Sequence, residues 1–160
     1  KREHLQGKFM DVDKRGYQVA HEVSTYSLVE LTRRALPMMN NGGSIITMTY
    51  MGSEKVTPGY NIMGVAKAAL ENTVRLLAHE YGPRQIRVNA ISAGPLETMA
   101  ARGISGFRAM REAHKEGAPL GRNITHEEVA NAALFLCSDM SSGITGTTLM
   151  VDAGYHIMGV

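Results

Sequence analysis

The sequence lacks the features of secreted, membrane-spanning and nucleic-acid-binding proteins. A single cysteine, Cys137, rules out a disulfide framework and fits a reducing compartment, so we expect a cytoplasmic protein. No apolar run approaches the roughly 20 residues that a membrane-spanning helix needs. The net charge is only +2 and the basic residues are dispersed, which argues against a nucleic-acid partner. Cys137 itself lies in an apolar run, and we expect it to be a small core residue.

Several common catalytic and cofactor-binding motifs are also absent. No Gly-rich dinucleotide fingerprint is found, with its acidic residue about 20 positions further on. The six histidines are scattered without metal-ligand spacing, so we expect no metal site. The chain also has no Gly-x-Ser-x-Gly elbow. Its 160 residues nevertheless suffice for one domain with a core.

Three short apolar or β-branched runs predict the strands of a parallel sheet. These runs cover residues 44–49, 86–91 and 147–151. A predicted helix joins the first two strands, which makes a right-handed, parallel βαβ unit. The first run is apolar throughout, so we expect both of its faces to be covered. The pattern therefore predicts an α/β fold.

Three stretches with apolar residues at helical spacing predict the main helices. They cover residues 16–40, 60–81 and 125–137, whereas residues 1–15 are charged and are predicted to form a loop. The first helix has a predicted apolar side formed by Val19, Val23, Tyr26, Leu31, Ala35 and Leu36. The third begins with the capping box Thr125-x-x-Glu128. Its predicted inward-facing residues are Val129, Ala133, Leu134 and Leu136.

The carboxyl end of the second predicted strand is a candidate ligand-binding edge. Residues 92–95, Ser-Ala-Gly-Pro, follow this strand, and ligands bind at that edge of an open parallel sheet. A plain Gly-Pro turn is the alternative interpretation. Residues 96–122 then contain neither a clear strand nor a long helix. The pattern of this long connection, with its Met and Ala residues, fits equally a lid over an apolar slot and a surface helical hairpin with its own small core.

Tyr60 and Lys67 form a candidate catalytic pair. If both lie on the predicted helix, seven residues place them about 20° apart in direction and roughly 10 Å apart along the axis. A nearby ammonium favours the phenolate, so we expect the pKa of Tyr60 to be lowered. Such a phenol can donate to a developing oxyanion. The same spacing also occurs by chance on ordinary amphipathic helices.

The surrounding residues resemble the short-chain dehydrogenase/reductase family, and more closely its enoyl-(acyl-carrier-protein) reductase branch. That branch has a Tyr, a second Tyr ten residues later and a Lys seven further on, as Tyr50, Tyr60 and Lys67 are spaced. The stretches YNIMGVAKAALE, RVNAISAGP and SSGITGTTLMVDAGY are also similar. In the wider family, the position of Met63 holds Tyr and that of Tyr50 holds Ser. The resemblance extends from about residue 16 to the end of the chain.

The resemblance implies a doubly wound, Rossmann-type parallel sheet. Residues 1–160 would be its C-terminal half, with three strands and covering helices. The family's adenine and pyrophosphate sites lie on earlier strands, so we expect the N-terminal cofactor half to be missing and the chain to be part of a longer polypeptide. The substrate and nicotinamide end would remain, with segment 96–122 closing over the acyl substrate as a lid.

The implied reaction is the NADH-dependent reduction of a trans-2-enoyl thioester on acyl carrier protein, in fatty-acid biosynthesis. Tyr60 would hydrogen-bond the thioester oxygen as an enolate forms, Lys67 would hold the nicotinamide ribose, and Tyr50 would line the pocket. The implied cofactor-binding residues are Lys67, Gly94, Leu96, Glu97, Thr98, Met99 and Ala100. The implied substrate-binding residues are Tyr50, Tyr60, Met63, Ala100, Ile104 and Phe107. The expectation that the cofactor is NADH rather than NADPH rests on the resemblance alone.

The implied partners are acyl carrier protein and further copies of the chain. Basic residues could meet the acidic carrier protein or form an ordinary solvated helix face; they are Arg102, Arg108 and Arg111. In the family the first helix contacts a neighbouring subunit, so we expect a homo-oligomer, a tetramer. Two alternatives stay open: a carbonyl reductase of the wider family, which Met63 disfavours, and a catalytically silent half-domain that serves in subunit contacts.

Overall fold

The computed structural model describes residues 7–99, 101 and 106–159. Their strands form one parallel sheet in the order β1-β2-β3. Its strands are β1 (Gly43–Thr49), β2 (Ile86–Ala93) and β3 (Thr148–Val151). The α-helices are α1 (Lys14–His21), α2 (Ser27–Ala35), α3 (Ile62–Tyr81), α4 (Phe107–Gly117) and α5 (His126–Cys137). The predicted α/β fold with parallel strands is confirmed.

Helices cover both faces of the central strand, because successive side chains of β2 point to opposite faces. Ile86 and Val88 pack in the main core with Leu70 and Val74 of α3. On the other face, Arg87 Nη1 donates to the Leu136 carbonyl near the end of α5, at 2.9 Å. The sheet is therefore sandwiched between α3 and α5, and its carboxyl ends lie at one edge. No helix of the described residues is both long and apolar enough to cross a membrane.

The predicted first helix is interrupted, and its buried side differs from the prediction. A π-helical stretch, Glu22–Tyr26, separates α1 from α2, and a 3₁₀ turn follows at Leu36–Met38. The buried residues of α1 and α2 are Gly16, Ala20, Leu28 and Thr32. By contrast, Val23 and Leu31 are 65% and 67% exposed. The wider π-helical turn changes the angular spacing of side chains, so a regular 3.6-residue pattern gave the wrong face.

The secondary structure of the segment before residue 16 also differs from the prediction. The described part of residues 1–15 contains a 3₁₀ turn at Phe9–Asp11, and α1 already begins at Lys14. Asp13 is the N-cap of α1, and its side chain accepts a 2.6 Å hydrogen bond from the Gly16 amide. A carboxylate at the N-cap satisfies an amide that has no partner within the helix. The prediction of a loop throughout this segment was therefore wrong.

Strand β1 is less buried than an apolar run suggests. It is an edge strand of the described sheet, and most of its residues are only partly buried, with Met48 42% exposed. The prediction that both faces are covered was wrong for the described residues. An apolar strand can be buried on both faces, but the elements packed against it determine how much of its surface is buried.

The capping box at the start of α5 is confirmed, but two of the predicted core residues of this helix are exposed. Thr125 Oγ1 accepts from the Glu128 amide at 3.2 Å, and the Glu128 carboxylate accepts from the Thr125 amide at 2.8 Å. Leu136 is fully buried, whereas Leu134 is 69% exposed and Cys137 is exposed. Leu134 and Cys137 are two residues and one residue away from Leu136 in the sequence. Their side chains therefore point about 200° and 100° away from that of Leu136 around the helix axis and cannot share its buried face.

Candidate active site

The carboxyl edge of the sheet brings the candidate residues together. Tyr50 follows the last residue of β1, and Gly94 follows the last residue of β2. The Gly94 amide donates to the Val151 carbonyl of β3 at 2.9 Å. A side chain on residue 94 would lie 2.9 Å from His114 Nε2, so glycine permits the close packing of α4 against this edge.

Tyr60 precedes α3 and is not part of it. Helix α3 begins at Ile62, and Asn61 before it has φ of 47° and ψ of −130°, which no helical residue adopts. The predicted helical geometry of Tyr60 and Lys67 was therefore wrong. The turn instead places the Tyr60 ring against Tyr50, with ring centroids 4.9 Å apart and planes at 64°. This edge-to-face contact is a favourable arrangement for two aromatic rings.

Burial sets the protonation state of both phenols. It raises the pKa of Tyr60 well above its usual value, and the neighbouring Tyr50 raises it further. Burial likewise raises the pKa of Tyr50. The expected lowering of the Tyr60 pKa by Lys67 was wrong, because loss of water around the phenolate dominates. Both tyrosines are therefore neutral hydrogen-bond donors at neutral pH.

Lys67 is held at the end of β1. Its Nζ donates a 2.7 Å hydrogen bond to the Met48 carbonyl. Burial lowers the pKa of Lys67, and the carboxylate of Glu71, one turn along α3, opposes that shift. An ammonium has three N–H donors. One of these donors binds the Met48 carbonyl, and an ammonium donor set of this kind fits the hydroxyl groups of a ribose.

A 3₁₀ turn over Met51–Ser53 rests directly on α3. A side chain on residue 64 would lie 2.6 Å from the Gly52 carbonyl oxygen, and one on residue 52 would lie 2.6 Å from the Tyr60 ring. The two glycines therefore allow the turn, the helix and the aromatic pair to approach closely. The sequence indicated this approach only through Gly64.

We expect Gly64→Ala to lower the free energy of unfolding by about 1–3 kcal/mol, because its methyl group would force backbone apart. The matched control is Gly82→Ala, since Gly82 has φ of −53° and open space at its Cβ position. Denaturant unfolding of both variants measures the difference. Equal stability of Gly64→Ala and the unsubstituted protein would contradict the tight contact.

A cavity of about 1150 Å³ opens beside Tyr50. Its wall includes the loop after β1 and one side of α4; the residues that sequence reasoning missed include Val56, Thr57, Pro58, Ala109, Met110, Ala113, His114 and Tyr155. The Tyr50 hydroxyl donates to Met110 Sδ at 3.5 Å. The apolar residues of segment 96–122 were the sequence signal that could have identified α4 as part of the cavity wall.

The remaining predicted substrate residues lie elsewhere or outside the described residues. Within the described chain, Tyr60, Met63 and Phe107 are not part of the cavity wall. Met63 packs beside Ala20 and Ile62, where the Ser24 hydroxyl donates to its sulfur at 3.9 Å. Phe107 is the first residue of α4 and is partly buried. Ala100 and Ile104 lie outside the described residues.

The predicted cofactor-contacting residues form the segment that leaves β2. Leu96 packs against the small cluster around Ala93. The Glu97 carboxylate pairs with Arg111 Nη1 of α4 at 3.2 Å. Thr98 Oγ1 accepts from the Ala101 amide at 3.1 Å, and Met99 is exposed. No cluster of His, Cys, Asp and Glu that could hold a metal ion occurs among the described residues.

This parallel sheet between helices, with the candidate residues at its carboxyl edge, has the architecture of the Rossmann-type α/β class. A sequence model described as enoyl-(acyl carrier protein) reductase matches residues 1–156. The chain therefore belongs to the enoyl-(acyl-carrier-protein) reductase family. That membership confirms the family resemblance identified in the sequence.

Close relatives are known from curated sequences. The NADH-dependent enoyl-(acyl-carrier-protein) reductase FabI of Synechocystis is 56% identical over 156 residues, which are 98% of this chain and 60% of that protein. FabI of Bacillus subtilis is 51% identical over 156 residues, again 98% and 60% of the two chains. The chain thus spans about 60% of the length of these relatives.

Solved structures confirm the Rossmann-type fold. An enoyl-(acyl-carrier-protein) reductase (NADH) from Aquifex aeolicus superposes with a TM-score of 0.96 at 49% identity, covering 99% of this chain and 62% of that one. A relative from Anaplasma phagocytophilum, solved in complex with NAD, gives a TM-score of 0.95 at 47% identity, covering 100% and 61%.

Proposed function

We propose that this chain is the substrate and nicotinamide end of an NADH-dependent enoyl-(acyl-carrier-protein) reductase. The observation that carries the proposal is the contact of Tyr50 with Tyr60, 4.9 Å between ring centroids, with Tyr50 in the wall of the 1150 Å³ cavity and Lys67 bonded to the end of β1. The names of the relatives give the same reaction and cofactor. We call the polypeptide that joins these residues to a dinucleotide-binding segment the complete enzyme.

Tyr60 acts as the hydrogen-bond donor to the thioester oxygen. Its raised pKa keeps the phenol protonated, so it donates while negative charge builds on that oxygen. Lys67 orients the cofactor through the ribose hydroxyls while it remains bonded to the Met48 carbonyl. When bound at Lys67, NADH would supply the hydride for the β-carbon, and a proton from solvent at the α-carbon would complete the reduction. Residues 94 and 96–100 form the neighbouring cofactor contact.

The cavity receives the acyl chain. Its wall contains Val56 and Met110 beside Tyr50, which suits an apolar chain that ends in a polar thioester. Segment 96–122 acts as the lid, since α4 within it supplies one wall of the cavity. Phe107, Ile104, Ala100 and Met63 are proposed to contact the substrate when the lid closes.

The proposed partners are acyl carrier protein and identical subunits, in the cytoplasm. Arg108 on α4 is exposed at the lid and is available to an acidic carrier protein. Arg111 is partly engaged by Glu97. The exposed apolar residues Val23 and Leu31 suit burial against another subunit, as in a homotetramer.

The substrate class is tested by comparing two thioesters in the complete enzyme. Met63 stands where ketone reductases of the wider family carry their Tyr, so we expect reduction of crotonyl thioesters and no reduction of 3-ketoacyl thioesters. Loss of NADH absorbance measures both rates. Comparable rates would favour the carbonyl reductase, and no rate on either would favour a silent half-domain.

A further inference from the structure

Glu71 is a buried carboxylate for which the proposed reaction has no role. Its side chain is only 6% exposed, on the sheet-facing side of α3. Glu71 Oε1 accepts hydrogen bonds from Thr49 Oγ1 and from Ser53 Oγ, each at 2.6 Å. A buried carboxylate is costly unless such donors compensate it, so this arrangement needs a physical reason.

The two hydroxyl groups belong to residues on either side of Tyr50. Thr49 is the last residue of β1, and Ser53 is the last residue of the 3₁₀ turn that follows Tyr50. Glu71 therefore holds both ends of the short segment that carries this ring. The same helix holds the segment at a third point, where Lys67 Nζ donates to the Met48 carbonyl.

An ionised carboxylate suits this position because it accepts hydrogen bonds and donates none. One oxygen binds two hydroxyl donors, so neither hydroxyl has to find another acceptor. The carboxylate of Glu71 also acts on Lys67, one helical turn away, where it opposes the lowering of the Lys67 pKa by burial. Hydrogen bonds to a charged acceptor are stronger than neutral ones, which makes the contact stiff.

We propose that Glu71 is a positioning residue, which fixes the segment around Tyr50 so that the Tyr50 ring stays against Tyr60 at the cavity wall. It acts through Thr49 and Ser53 and touches neither substrate nor cofactor. This inference rests on the proposed function for its effect on turnover. The geometric part, the fixed position of Tyr50, stands on the hydrogen bonds alone.

The kinetic test compares Glu71→Ala with Glu71→Gln in the complete enzyme. Glu71→Ala removes the acceptor that both hydroxyls share, and we expect kcat to fall about ten- to a hundredfold with little change in KM. The carboxamide oxygen of Glu71→Gln can still accept from both hydroxyls, so this variant retains most of the turnover. Glu80→Ala, on the exposed side of the same helix, is the matched control. An unchanged kcat for Glu71→Ala overturns the proposal.

A spectroscopic test reports on Tyr50 without activity. In protein labelled with 3-fluorotyrosine, the ¹⁹F resonance of Tyr50 is assigned by its loss in Tyr50→Phe. We expect Glu71→Ala to shift this resonance, and Glu71→Gln and Glu80→Ala to leave it in place. A kcat that falls while the resonance stays unmoved also overturns the proposal, because the effect then does not pass through Tyr50.

The two experiments separate the inference from the proposed function. An unsubstituted enzyme that does not reduce enoyl thioesters refutes the function, while the Tyr50 resonance still tests the positioning. If Glu71→Ala does not fold, Ser53→Ala removes one hydrogen bond at a half-buried position. We expect Ser53→Ala to lower kcat and to shift the Tyr50 resonance, with a smaller loss of kcat than the one expected above for Glu71→Ala. If Ser53→Ala changes neither kcat nor the resonance, the proposal is overturned.

Discussion

Tyr60→Phe lowers the turnover of the complete enzyme by about 10²–10³-fold, with a small change in KM, if the phenol stabilises the enolate. The substitution keeps the aromatic ring and its contact with Tyr50, so only the hydroxyl is lost. A hydrogen bond that strengthens as charge develops contributes mainly to the transition state. Steady-state kinetics with a crotonyl thioester measures the effect.

The matched control is Tyr17→Phe, because Tyr17 is an exposed residue of α1. Its loss of a hydroxyl should leave the turnover unchanged. Full activity of Tyr60→Phe would exclude Tyr60 as the donor.

Because burial raises the pKa of Tyr60, its phenol stays protonated up to and beyond the ordinary tyrosine pKa of about 10. No loss of rate from Tyr60 ionisation is therefore expected below about pH 10.

If Lys67 holds the nicotinamide ribose, we expect Lys67→Ala to weaken NADH binding and to lower turnover together. Hydrogen bonds to a charged group contribute about 1.5–3 kcal/mol, so we expect roughly a ten- to hundredfold increase in the NADH dissociation constant. Titration calorimetry of the complete enzyme measures this constant. Lys115→Ala, on the exposed side of α4, is the control that removes an ammonium elsewhere.

An unchanged NADH affinity would exclude Lys67 from holding the ribose. The substitution also removes the hydrogen bond to the Met48 carbonyl, so the folded state must be checked by thermal unfolding. If Lys67→Ala lowers turnover but not NADH affinity, its role lies at the end of β1, where it supports the segment around Tyr50.

Much of the fold was predictable because local signals agreed with the tertiary structure. Strand β2, predicted over 86–91, is observed over Ile86–Ala93, and its parallel pairing with β1 follows from the βαβ order. The capping box at Thr125 marks the start of α5 at His126 correctly. These features depend on residues close together in the chain, so the sequence contains the information.

Other predictions failed because apolar character was taken to mean burial. The exposure of Val23 and Leu31 depends on the π-helical stretch between α1 and α2, which interrupts a pattern that is otherwise helical. Cys137 was expected in the core and is exposed, because Leu136 takes the buried position beside it. Apolar character alone does not decide which of two neighbours faces inward.

For the site, the sequence by itself determined the residue types and their spacing: Tyr50, Tyr60 and Lys67, with glycine at position 64. Only the tertiary structure decided how they are placed and which of them burial keeps protonated. The backbone at Asn61 takes Tyr60 out of the helix, and burial raises its pKa where a nearby ammonium was expected to lower it. Glu71 became visible only when β1 and α3 were brought together, because burial and contacts between distant segments are properties of the folded chain.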